Sequence, residues 1–539
     1  MSKDLDQVDR PASSYSPAEG HPALSWSPGR AFRLRLVWWF AFLSFGCLAS
    51  IWAIATPING SPDEREHVVR AAAVARGQFV ARNGAYVNGT GALVLAPASL
   101  SALMLPSSCF FFRPDRTADC ASPRNATTAV SPQVSGAGRY FPLYYGIVGL
   151  PTLMLQNVQA LYLMRLVSVL GNAILVASAV TSAAAWRRSP LLVTGLYAAV
   201  TPMILFLSGV VNPNSWEITA GLCLWTSSLA LLFAEDRAED SRLLARVGVA
   251  ALVLVCMRSL SPLWLALTLL LVTSAAWRGR LTELARWRAA IPWAAAVVIA
   301  TLASVVWTDQ VHVLEIGHLP APAHLQLADR IETSVLRVPG LAQQMVGVFG
   351  WLDTNSPEVT YVLWAAGVGA LVLLGMAGSA RLPRAALVGA IVLTIVVPIA
   401  AEVPGANIYG FAWQGRYTLP LAVGIPILGA LAAAVGGSLA PQAGIRLTAS
   451  LAILLGLAHF FAFWWMLLRY QVGAGHSLNP LQGSWHPPGG SLLILVAYGV
   501  GLLSWGVLAS IAWRLAGSGP QPPDELLSLG ASAVSRNPA

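Results

Sequence analysis

Asp63 and Glu64 follow the first long apolar run of the chain, within Asn59-Gly60-Ser61-Pro62-Asp63-Glu64-Arg65-Glu66-His67. A carboxylate at the exit of an apolar segment is partly desolvated, and there it can act as a general base toward a hydroxyl group. Asp63, His67 and Arg70 stand at i, i+4 and i+7 and so share one helical face. The plainer reading of the same residues is a helix start, with Ser61 as cap, Pro62 at the first position and acids in the first turn.

The basic counterparts are Arg258 and Arg416. A guanidinium binds phosphate through two parallel hydrogen bonds, so either arginine suits a phosphate ligand; an internal ion pair is the alternative. Gln414-Gly415-Arg416-Tyr417 opens an apolar run, and Gly415 would let another backbone come close. Asn212-Pro213-Asn214-Ser215-Trp216-Glu217 reads as a tight turn. Glu217 stands out there, because a carboxylate entering a span usually faces a cavity or a partner. Tyr144 and Tyr145 form either an aromatic belt or a sugar-binding floor. Asp353 lies in Phe349-Gly350-Trp351-Leu352-Asp353-Thr354, at the end of a long loop.

The elements that must position these groups are membrane spans. Of the 539 residues 56% are hydrophobic and 11% charged, against roughly 25% charged in soluble domains. The formal charge of +9 comes from arginines scattered singly between apolar runs, which excludes a nucleic-acid partner. Twelve runs have the composition of spans: Leu36–Thr56, Leu161–Ala185, Pro190–Val210, Trp216–Ala234, Ala245–Met257, Pro262–Trp277, Ala289–Thr308, Tyr361–Ala377, Ala385–Ala401, Tyr417–Val435, Leu447–Leu468 and Ser491–Trp513. The fold expected is therefore all-α and integral to the membrane.

If the segment Tyr140–Gln156 lies in the interface and does not cross, the arginine-rich loops all fall on one side, including those at 187–188, 237–246, 278–288 and 381–384. That places both tails (1–35 and 514–539, rich in Pro, Ser and Gly) in the cytoplasm, as disordered segments around a transmembrane domain spanning 36–513. The first apolar run has no cleavage site and is expected to stay as an anchor. Long loops at 57–160 and 309–360 then face outward. Cys109 and Cys120 lie eleven positions apart in the first of them, free or disulfide-bonded. No phosphate-binding loop, HExxH or CxxC pattern is present, and no metal site is expected, although Glu64 or Glu217 could hold a divalent cation.

The order of these pieces resembles a bacterial family of multi-pass membrane proteins of unknown function, which is itself similar to the GT-C superfamily of polyprenyl-phosphate-sugar-dependent glycosyltransferases. The resemblance rests on Pro62-Asp63-Glu64 with His67 and Arg70, Phe141-Pro142-Leu143-Tyr144-Tyr145, Asn212-Pro213-Asn214, Arg258 with Pro262, Phe349-Gly350-Trp351-Leu352-Asp353-Thr354 and Gln414-Gly415-Arg416-Tyr417. Two positions depart from the family: Asn214 stands where Asp is frequent, and Arg258 where Lys is. What the resemblance implies is a GT-C-like body with interfacial helices in the first outer loop. It also implies sugar transfer from a polyprenyl-phosphate donor to an envelope glycan or lipid acceptor outside the inner (plasma) membrane. Asp63 would serve as base, assisted by Glu64, while His67, Arg70, Tyr144, Tyr145, Asn212, Glu217, Arg258, Asp353, Gln414 and Arg416 would hold the substrate or its phosphate. A flippase of lipid-linked sugars and a non-catalytic envelope scaffold are the rival classes.

Overall fold

The computed structural model describes residues 28–81, 91–122, 126–186, 190–233, 237–276, 278–313, 324–439 and 441–517. Most of both expected disordered tails, the arginines at 187–188 and residues 314–323 of the second expected outer loop lie outside the described residues.

The chain leaves α1 (Pro28–Ala55) and enters α2 (Glu64–Ala75). An antiparallel pair of strands follows, β1 (Ala92–Pro97) and β2 (Val130–Ser135), in register from Ala92 opposite Ser135 to Pro97 opposite Val130. Between these strands lie α3 (Ala98–Met104) and a turn closed by a Cys109–Cys120 disulfide. Next come α4 (Pro142–Val148), α5 (Val158–Ala185), α6 (Leu191–Ala199), α7 (Pro202–Ser208) and α8 (Pro213–Phe233). The chain continues through α9 (Asp240–Val255), α10 (Ser261–Ala275), α11 (Arg278–Arg286), α12 (Ala290–Gln310), α13 (Leu327–Leu336) and α14 (Val338–Gly347). The short strands β3 (Val348–Phe349) and β4 (Thr354–Asn355) pair around a turn. The rest is α15 (Glu358–Ala377), α16 (Arg381–Tyr409), α17 (Gly415–Ala422), α18 (Gly424–Val435), α19 (Pro441–Gln471) and α20 (Ser491–Gly517).

Among the described residues nine helices, or ten counting one bent pair, are long and apolar enough to cross a membrane. The protein is thus a multi-span membrane protein, but the expected count of twelve is too high. Three runs account for the difference. The run Pro190–Val210 is broken at Thr201-Pro202, where α6 and α7 meet at 63°; proline cannot donate the next helical hydrogen bond. Helices α9 and α10 have 16 and 15 residues, and at 1.5 Å per residue each reaches only about 22–24 Å, short of the ~30 Å hydrocarbon core. Together they make a hairpin with Arg258 at its turn.

The Tyr140–Gln156 segment contains only the seven-residue α4 and a short 3-10 turn, too little to span. It leaves Leu143, Ile147, Leu150, Leu153 and Met154 exposed. Helix α13 is similar, with Leu327, Ile331 and Val335 exposed along one stripe, while Arg330 donates to the Val403 carbonyl (2.9 Å) and Arg337 pairs with Glu402 on the other side. Inside the helices an aromatic cluster fills the core: Trp52 is fully buried against Phe206, Phe349, Phe463 and Tyr498.

Thiol counting checks the loop chemistry. Under denaturing, non-reducing conditions only Cys47, Cys223 and Cys256 should alkylate, and all five cysteines of the chain should alkylate after reduction.

Candidate functional site

The loop from Thr56 to Asp63 turns sharply at the end of α1 and must satisfy its backbone groups without water. Arg165, from near the start of the apolar run on α5, donates to the carbonyls of Ala53 (2.7 Å), Thr56 (2.7 Å) and Pro57 (2.9 Å). Its Nε and Nη2 bind both oxygens of Glu64 at 2.8 and 2.7 Å. The Glu64 oxygens also accept the backbone N–H groups of Val211 (3.2 Å) and Asn59 (3.1 Å). From the other side, the Tyr470 hydroxyl donates to Gly60 O (2.7 Å) and Trp351 Nε1 to Asn59 O (3.2 Å).

This clamp holds Asn59 and Asp63 at positive φ, 55° and 62°, a conformation that costs a non-glycine residue roughly 1–2 kcal/mol. Asp63 precedes α2 but makes no capping hydrogen bond. The helix-start reading therefore does not describe its carboxylate. That group turns instead to Arg416, with Oδ2 at 2.8 Å from Nη2.

Arg416 comes from the first turn of α17. Gly415 permits the fit: a Cβ there would sit 2.2 Å from Leu341 O, and its N–H binds Gln344 Oε1 at 2.8 Å. The Arg416 side chain is 4% exposed and that of Asp63 45%. Nε and Nη1 of Arg416 are buried with no hydrogen-bond partner, as is Gln414 Oε1. A narrow crevice lined by Pro62, Met203, Phe206, Leu207, Gln344 and Arg416 adjoins them.

Arg258 lies alongside, its guanidinium 4.3 Å from the centre of the Tyr417 ring and 5.9 Å from that of Tyr140. Its nearest anion is Glu217, at 3.9 Å. Glu217 is fixed by Asn214 Nδ2 and by the Ser261 hydroxyl, both at 2.8 Å. An aspartate at 214 could not donate to Glu217 and would repel it. Arg258 is thus held ready by a buried carboxylate without being saturated by it.

Although the Asp63 side chain is partly accessible, it is recessed, and burial is the largest influence on its carboxyl, pushing the pKa upward. The charge of Arg416, aided by His67, the Arg416 hydrogen bond and Arg258, outweighs burial and keeps Asp63 below the ordinary carboxylate value. Asp63 is ionised at neutral pH. His67 is buried and held down to about 3, first by desolvation, against the pull of Asp63 and with Arg416 and Arg258 opposing its charge. Its neutral ring meets the Tyr145 hydroxyl through Nδ1 at 2.9 Å.

Asp63, His67, Tyr145, Glu217, Arg258 and Arg416 therefore form one connected cluster at this recess, with Gln414 close to Arg416 in sequence, while the other expected residues make contacts of the scaffold. Glu64 is consumed by Arg165, both side chains being 0% exposed. Arg70 ties the carbonyls of Gln78, Phe79 and Tyr140. Tyr144 bonds Ser168 (3.1 Å) and packs on Trp216. Asn212 Oδ1 accepts Asn214 N–H at the start of α8. Asp353 pairs with Arg469 at 3.2 Å, and Arg469 also holds the carbonyls of Phe110, Arg113 and Arg116. Arg165 and Arg469 escaped notice in the sequence. For Arg165 the signal was there, one charge inside an otherwise apolar run. Among the described residues no group of three or more His, Cys, Asp or Glu side chains could hold a metal ion.

A family model described as a predicted membrane protein (DUF2142) matches residues 46–425, a stretch that includes every residue of this recess. No curated protein matches the chain. Among solved structures, the crystal structure of ArnT from Cupriavidus metallidurans bound to undecaprenyl phosphate is similar, at 13% identity and a TM-score of 0.40, over 90% of this chain and 77% of that one. At that score no residue can be transferred from one to the other.

Two measurements test the electrostatics. His67 binds its proton near pH 6.5 when unfolded but only at about 3 in the fold, so the unfolded state holds more protons between these values and stability falls as pH drops below 6.5. The slope should approach about 1.4 kcal/mol per pH unit. Melting in detergent from pH 7 to 5 should show this loss and His67→Gln should flatten it; the depressed Asp63 carboxyl acts only at lower pH. Separately, Arg165→Met should destabilise by roughly 3–5 kcal/mol by stranding Glu64, and adding Glu64→Gln should recover part of it.

Proposed function

This chain belongs to the DUF2142 family of predicted membrane proteins, and we propose that it works as a membrane glycosyltransferase of GT-C type. The donor is a polyprenyl-phosphate-linked sugar and the acceptor a hydroxyl of an envelope glycan or lipid, outside the inner membrane, with both tails cytoplasmic. The observation that carries this reading is the meeting of Asp63 with Arg416 (2.8 Å) and Arg258 in one recess where the chain leaves α1. It sets a carboxylate base beside two cations, the pairing needed to deprotonate a hydroxyl and to receive a phosphate.

In this mechanism the acceptor oxygen attacks the anomeric carbon and gives its proton to Asp63. The bond from that carbon to the phosphate oxygen breaks, its electron pair stays on the phosphate, and the sugar inverts. Charge grows on the leaving lipid phosphate, where Arg258 and Arg416 stabilise it as preorganised donors. The cation–π contact with Tyr417 keeps Arg258 in place without using its N–H groups. His67, neutral and bonded to Tyr145, adds no charge that would compete for the phosphate.

The test is transfer from a polyprenyl-phosphate sugar by the purified protein, followed by release of lipid phosphate. Arg258→Ala or Arg416→Ala should slow turnover by about 10²–10³-fold, and Asp63→Asn should abolish it. Full transfer by Asp63→Asn would remove Asp63 from the chemistry, and movement of intact lipid without release of lipid phosphate would mark a flippase.

A further inference from the structure

The two arginines of the recess are each opposed by one carboxylate, but the two carboxylates differ. Glu217, next to Arg258, is 1% exposed and tied by Asn214 and Ser261, so it cannot leave. Asp63 makes a single side-chain hydrogen bond among the described residues, to Arg416 Nη2. It does not cap its helix, it sits in a strained left-handed conformation, and its side chain is 45% exposed.

The nitrogen that Asp63 occupies matters. A guanidinium offers two edges for bidentate binding, Nε with Nη2 and Nη1 with Nη2. Nη2 belongs to both. On Arg416 the remaining donors, Nε and Nη1, are buried and unpartnered. An anion approaching from the open side meets the Asp63 carboxylate first; Asp63 takes one of the two Nη2 hydrogens, so an anion gains the edge that Asp63 holds only by displacing it.

We propose that Asp63 is a latch on Arg416: a prenyl phosphodiester entering the recess displaces its carboxylate from Nη2, completes a bidentate edge of Arg416, and so turns Asp63 toward the acceptor. This rests on the proposed phosphate-binding role of the recess and adds to it an order of events. In the empty site Arg416 neutralises the base. Once the phosphate takes over that charge, the carboxylate regains its proton affinity beside the bound donor. His67, Tyr140 and Tyr417 also face this carboxylate or its arginine. Arg258, kept by Glu217, supplies the second cation throughout.

The experiment is binding of a short-chain prenyl methyl phosphodiester, whose single charge does not titrate near neutrality, to the full chain in nanodiscs by calorimetry. Asp63→Asn and Asp63→Ala should each bind about tenfold tighter than the unaltered protein, since a competing anion is gone. Arg416→Ala should bind weaker. Melting curves establish that each variant is folded. As a second readout, the infrared carboxylate band that Asp63→Asn removes should shift when the diester binds to the unaltered protein. If neither Asp63 variant binds tighter and the band stays still, while Arg416→Ala weakens binding, the latch is wrong and phosphate recognition by the recess stands. If neither Arg416→Ala nor Arg258→Ala alters affinity, the phosphate-binding role fails and the latch fails with it.

Discussion

Arg165 spends all five of its N–H donors at one place, three carbonyls at the end of α1 and both oxygens of Glu64. A chain leaving a helix at the edge of the hydrocarbon must satisfy the carbonyls of its last turn, and water is scarce there. By meeting that need from α5, Arg165 also fixes the angle at which α2 departs. Asp63 stands between these two elements, so its left-handed backbone follows from the clamp. The pair itself adds little net stability after desolvation; what it contributes is a single geometry.

Two kinds of arginine follow from the same accounting. Arg70, Arg165 and Arg469 are buried on backbone carbonyls and carboxylates and act as struts. Arg469 extends the clamp, joining the disulfide-closed turn to Asp353 and through it to the turn that bears Trp351, which in turn holds Asn59. Arg416 and Arg258 differ from these in chemistry, and Arg258 is also less deeply buried. One has two donors without a partner, and the other lies on aromatic faces beside a carboxylate already bound by two other groups. Arg70 keeps one unmet donor, Nε, but no open carboxylate lies beside it; it is unmet donors beside an open carboxylate that mark where a ligand belongs.

Much of this could be read before any fold was known. The carboxylate after the first apolar run, the arginine at the short hairpin and the Gln-Gly-Arg-Tyr turn do meet, because topology places the ends of α1 and α9 beside the start of α17. That Tyr140–Gln156 does not cross was the reading that loop charge favoured, and the segment holds only a seven-residue helix and a 3-10 turn. The span count was less legible. Hydropathy does not register that Pro202 breaks a helix, nor that a hairpin of two short helices need not cross. The roles of Glu64 and Asp353 were hidden because their partners lie 101 and 116 residues away, and spacing carries no information about contacts at that range. Asn214 shows the converse: its role as the donor to Glu217 became intelligible only from the fold.

The central claim is that one recess at the exit of α1 receives a lipid phosphate between Arg416 and Arg258 with Asp63 facing the sugar. A cryo-electron microscopy structure of the protein with a bound polyprenyl phosphate sugar tests it most directly. The account predicts the phosphate within hydrogen-bond reach of both guanidinium groups and the Asp63 carboxylate turned toward the face of the anomeric carbon opposite the phosphate. A headgroup resolved elsewhere, with the Asp63–Arg416 contact undisturbed, would contradict it.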